Sequence, residues 1–112
     1  MAKFEKQITG NFDAIVTNLE QDILENGLSM NLVDASDFQY ENARIAVRVY
    51  DKYFMRNKSR ASLNLTIVGN NNQVFISAIG AGGGTGVFFN LSRGAETELT
   101  SIVETSLQRM GY

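Results

Sequence analysis

Hydrophobic and polar positions change rhythm several times along the 112-residue chain, and each rhythm implies an element. Residues 2–8, AKFEKQI, set Phe4 and Ile8 on one side and Lys3 and Glu5 on the other, the loose alternation of a short half-buried strand that Thr9, Gly10 and Asn11 stop. Apolar residues then fall at Phe12, Ile15, Val16, Leu19 and Ile23, one face of a helix, with Asn11 as its cap and Gly27 as its end. Leu28, Met30 and Leu32 alternate with polar residues. The strand they imply is broken or bulged at Asp34 to Asp37, resumes at Phe38 and Tyr40, and turns at Glu41 and Asn42.

The next run, ARIAVRVYDKYFM, has a period of two. Ala43, Ile45, Val47 and Val49 form an apolar face, while Arg44, Ala46, Arg48 and Tyr50 form the other. In ASLNLTIV, Ala61, Leu63, Leu65 and Ile67 oppose Ser62, Asn64 and Thr66, and Gly69 with three asparagines marks a tight hairpin. A loop at Asn70 and Asn71 sets Val74, Ile76 and Ala78 beside Ile67, Leu65 and Leu63, so both strands share one apolar face. VFFNL, 87–91, reads as a further strand. From about Ala95, Leu99, Ile102, Val103, Leu107 and Met110 describe a second amphipathic helix with Glu96 and Glu98 in its first turn.

The pattern predicts a single α+β domain over 1–112: a curved antiparallel β-sheet with two amphipathic helices packed on one face, in the order β-α-β-β-β-β-β-α. The expected core comprises Phe12, Ile15, Leu19, Ile45, Val47, Leu63, Leu65, Ile76, Leu99, Ile102 and Val103. This order resembles the TATA-box-binding-protein-like architecture, which serves unrelated functions and so assigns none. The words DASDF (34–38), AVRVYDKY (46–53), SLNLTIVGN (62–70) and VFISAIGAGG (74–83) also resemble a family of small uncharacterised bacterial proteins over nearly the whole chain. That resemblance implies a bacterial, cytosolic protein and carries no catalytic residues to transfer.

Composition narrows the chemistry. With 44% hydrophobic and 20% charged residues the chain is of globular type, and it lacks both a run of about 18 apolar residues and a signal-peptide pattern. The absence of cysteine fits a reducing, cytoplasmic setting and removes thiolate chemistry. The absence of histidine removes Ser-His-Asp triads and the commonest transition-metal ligand, so an enzyme would have to use carboxylates, Lys or Tyr.

Three features invite a functional reading. GAGGGTG, 80–86, is similar over seven residues to the phosphate-contacting glycine loop of tubulin-like GTPases. It fails both the G-x-G-x-x-G and the Walker A patterns, and the strand expected after it is not the helix that such a loop needs. A wide turn or bulge is the expectation. Asp34 and Asp37 near Glu41 lack EF-hand spacing and read as a turn.

The third feature is a basic run. Arg44, Arg48, Lys52, Arg56, Lys58 and Arg60 lie within 17 residues with only Asp51 to offset them, net +5 in a chain of net −2. The acids gather on the two helical segments, as Asp13, Glu20, Asp22 and Glu25, and Glu96, Glu98 and Glu104. Arg44, Arg48, Tyr50, Arg60 and Asn64 are therefore expected as neighbours on the open side of the sheet, a binding surface for an acidic protein or anionic ligand. Replacing Arg44 or Arg48 by Ala should then change stability by no more than about 0.5 kcal/mol each.

The expected function is that of a non-catalytic binding or protein-interaction domain, self-associating as a homodimer through Ala46, Phe75, Ile79 and one ring of the Phe88 and Phe89 pair. A domain holding a small apolar or anionic ligand between sheet and C-terminal helix is the alternative. No cofactor, metal, membrane or nucleic-acid partner is expected.

Overall fold

The computed structural model describes residues 2–27, 29–55, 58–82 and 89–112, with the backbone alone for 89–95. Strand β1 (Ala2–Thr9) leads into helix α1 (Phe12–Asn26); strands β2 (Met30–Tyr40), β3 (Ala43–Phe54), β4 (Ser59–Asn70) and β5 (Gln73–Gly82) follow, then helix α2 (Phe89–Arg109). The five strands form one antiparallel sheet in the order β1-β5-β4-β3-β2. Both helices lie on the same face, which makes the fold α+β. No described helix is long and apolar enough to cross a membrane.

Local chemistry explains the boundaries. Asn11 Oδ1 accepts from the Ala14 N–H at 2.9 Å and so caps α1, while the Gly27 N–H closes its other end on the Ile23 carbonyl. The β4–β5 hairpin turns at Asn71 and Asn72, whose φ values of 51° and 64° suit a type I′ turn and the tolerance of Asn for positive φ. The loop therefore lies one residue beyond the expected Asn70 and Asn71. Ile67 consequently pairs with Ile76 and Leu65 with Ala78, a shift of two that leaves every side chain on its expected face.

The expected bulge is displaced in the other direction. Register shifts between Leu32 and Asp34, so Val33 is the extra residue and β2 runs unbroken to Tyr40. Of VFFNL, residues 87 and 88 lie outside the described residues, while 89–91 open α2 instead of forming a strand. Because α2 starts several residues before Ala95, Glu96 and Glu98 lie beyond its first turn.

The core lies between the helices and one sheet face. Ile15, Leu19, Ile23, Leu63, Leu65, Ile67, Val74, Ile76, Leu99, Val103 and Leu107 are all buried there, with Phe12 and Ile102 packed at its margin. Ile45 and Val47 are not in it. A four-residue connection pairs Phe54 with Ser59, and that parity puts the even residues of β3 beside the odd residues of β4: Ala46 faces with Ile67, Arg48 with Leu65 and Tyr50 with Leu63. The expected facing of β3 is thus reversed.

Candidate interaction surface

On the helix-covered face, Arg48 is 6% exposed and Tyr50 fully buried. Arg48 Nε donates to Glu20 Oε1 on α1 at 2.9 Å and Nη2 to Asp37 Oδ1 on β2 at 2.8 Å, while Nη1 reaches the carbonyls of Val47 and Ser36. Burial opposes its charge, but the bonds to Asp37 and Glu20 hold its pKa above the usual value. This arginine ties α1 to two strands. Arg44 shares the face at its exposed margin, bonded to Asp13 Oδ2 at 2.6 Å and lying over the Phe12 ring at 4.8 Å. Tyr50 Oη has no hydrogen-bond partner among the described residues, and burial pushes its phenol up to about 12.

Neither described helix covers the opposite face. From β1 to β2, its rows across the strands read Lys3, Ile79, Asn64, Val49, Asp34; then Glu5, Ser77, Thr66, Val47, Ser36; then Gln7, Phe75, Val68, Ile45, Phe38. An antiparallel sheet with one wet face ordinarily turns polar residues outward. Here the last row sets four apolar side chains on four adjacent strands. Phe38 is 55%, Phe75 40% and Ile79 36% exposed, with Ile45, Val47, Val49 and Val68 half-buried between them. Arg60 and Asn64 belong to this face, where Arg60 bonds Asp51 at 2.8 Å and lies over the Tyr53 ring at 5.8 Å.

The five expected site residues therefore divide between two faces. Arg44, Arg48 and Tyr50 are on the helix-covered face, Arg44 at its exposed margin and the other two buried, and Arg60 and Asn64 are on the open side. The missed signal was that β3 is apolar on both sides, with Ala46, Tyr50 and Phe54 opposite Ile45, Val47 and Val49, so alternation could not say which side faces the core. The basic run is largely neutralised within the chain: Arg44 by Asp13, Arg48 by Glu20 and Asp37, Arg60 by Asp51. Of the expected open-face residues, Phe75 and Ile79 are there, Ala46 is buried under the helices, Phe88 lies outside the described residues and Phe89 begins α2.

Gly80 and Gly82 are strand residues that fit against α2. A Cβ at Gly80 would come within 2.7 Å of the Glu96 carbonyl oxygen, and the Gly82 N–H donates to Glu96 Oε1 at 2.7 Å. The helix that was not expected after the glycines is present, and 83–86 lie outside the described residues. Asp34 and Asp37 sit in β2 rather than in a turn, Asp34 Oδ1 accepting from the Ala35 N–H and Asp37 from Arg48.

No curated protein and no solved structure matches the chain. Residues 1–111 match a family of unknown function, DUF6054, and the chain belongs to that family.

Proposed function

We propose that this protein is a non-catalytic interaction domain whose working surface is the open face of the sheet. The observation that carries this reading is the uncovered apolar row Phe38, Ile45, Val68 and Phe75, with Val47, Val49 and Ile79 beside it. Contiguous exposed apolar surface of a few hundred Å2, rimmed by polar residues, is characteristic of docking sites. Here the rim is supplied by Lys3, Glu5, Gln7, Asp34 and Ser36. The close fit of Gly80 against α2 favours this surface over a small ligand held beneath the C-terminal helix. The lack of cysteine supports a cytoplasmic setting for the encounter.

The test is site-specific photo-crosslinking in the organism that carries the protein. A crosslinking phenylalanine analogue at position 75 or 38 should give discrete protein adducts, while the same group at Leu24, exposed on the far side of α1, should not. Adducts from position 24 alone, or from none of the three, would refute the reading.

A further inference from the structure

The rows of the open face have a property that an apolar patch alone does not require. Read from β1 to β2 and then in reverse, these three rows nearly match themselves: the ends are charged or polar except for Phe38, β5 and β3 carry apolar or small residues, and one residue lies on the central strand β4. In the first row the ends are Lys3 and Asp34, of opposite sign. We propose that the occupant of this face is a second copy of the chain, packed sheet to sheet about a two-fold axis that runs along β4. This rests on the reading of the open face as an interaction surface.

A two-fold along β4 keeps each row at its level and reverses its direction. Lys3 of one copy then lies over Asp34 of the other, twice by symmetry. Ile79 lies over Val49 and Phe75 over Ile45, while Asn64, Thr66 and Val68 meet their own copies on the axis. A two-fold running across the strands would keep the strand order and exchange the first row with the third. It would set Asp34 over Phe38 and Glu5 over its own copy, and leave Lys3 only the Glu5 of its own chain at 3.7 Å, so charge complementarity selects the axis along β4. Facing sheets pack about 10 Å apart with strands within roughly 30° of each other, a distance these side chains fill.

The area is that of a small interface. Five strands at about 4.8 Å spacing and about 20 Å of strand length, the three rows with their own width, give a footprint of roughly 480 Å2 per copy before side-chain relief is counted. A standard interface buries about 800 Å2 per partner. Self-pairing of one patch is also the way a closed two-fold dimer forms, with no second surface required.

Sedimentation of the purified chain, with circular dichroism as a check on folding, tests this. The wild type should be dimeric in the micromolar range. Phe75→Asp should shift it to monomer, and so should Asn64→Asp, an exposed isosteric change that sets two carboxylates together on the axis. Lys3→Asp and Asp34→Lys should each weaken the dimer about 10-fold, by turning two attractions into two repulsions, and the double exchange should restore it to within about 3-fold. A wild type that stays monomeric at high micromolar concentration overturns the proposal, as does a dimer indifferent to both Phe75→Asp and Asn64→Asp, or a double exchange that fails to restore association. If the chain is monomeric but crosslinks from position 75 to a different protein, the second copy is excluded and the interaction surface stands. If position 75 and position 38 give no adduct at all, both fall.

Discussion

Arg48 and Tyr50 are adjacent even positions of one strand and impose opposite demands. Arg48 satisfies its buried charge with two carboxylates and two carbonyls, so Arg48→Ala strands Glu20 and Asp37 and unties α1 from β2. Urea unfolding should show a loss of about 2 kcal/mol, below the full cost of breaking a deeply buried pair because Asp37 remains open to water. Arg44→Ala, at the exposed margin, should leave the midpoint nearly unchanged. Tyr50 is the reverse case: its hydroxyl is buried with no hydrogen-bond partner among the described residues, so Tyr50→Phe should raise stability by about 1 kcal/mol. The same variant should be more alkali-resistant. The folded phenol titrates near 12 against about 10 in an unfolded chain, so between those values the unfolded state sheds the proton first and wild-type stability falls as pH rises. A pH series of unfolding curves from 9 to 12 should show that slope in the wild type, and less of it in Tyr50→Phe.

Among the elements, the helices were legible because each puts its apolar set on one side. Leu19 and Ile23 in α1, and Leu99, Val103 and Leu107 in α2, have no competing assignment. β4 and β5 were legible for the same reason, and even a hairpin misplaced by one residue kept their faces. β3 was not, since its facing depends on how many residues join it to β4, and side-chain alternation carries no information about that count. The start of α2 was hidden because Val87, Phe88 and Phe89 are residue types that favour strands. Two junctions between elements give tests. Gly80→Ala would drive a Cβ into the Glu96 carbonyl, and should cost about 1 to 3 kcal/mol in chemical unfolding. Asp22 on α1 is bonded to Arg109 and Ser106 on α2, which lowers its pKa from 3.8. A carboxyl lowered in the folded state adds stability above its ordinary pKa and loses it as pH falls through the folded value. Stability should therefore decline below pH 4, and Arg109→Ala should flatten that decline.

For the whole molecule, the division of labour is between two faces of one sheet. The charged groups that looked available for a partner are spent on holding α1, as Asp13 with Arg44 and Glu20 with Arg48, and the apolar residues that looked like core are turned outward. The proposed surface is thus legible as residues and not as a surface: the pattern puts Arg60, Asn64, Phe75 and Ile79 on the open face, where they lie, but puts Ile45, Val47 and Val49 on the opposite one. If two copies close over that face, melting temperature should rise with protein concentration, because the folded dimer is favoured by mass action. Scanning calorimetry across a 50-fold concentration range should show the rise in the wild type and not in Phe75→Asp.

The extra residue at Val33 interrupts the ladder between β2 and β3 at the outer edge of the sheet. A flat, regular outer strand of eleven residues would present a template on which the next chain could add, and the next after that, each addition recreating the same edge. A local twist at one residue spoils that template. Association face to face consumes the surface it uses, whereas association edge to edge regenerates it, so the bulge separates a particle of fixed size from a ribbon of indefinite length.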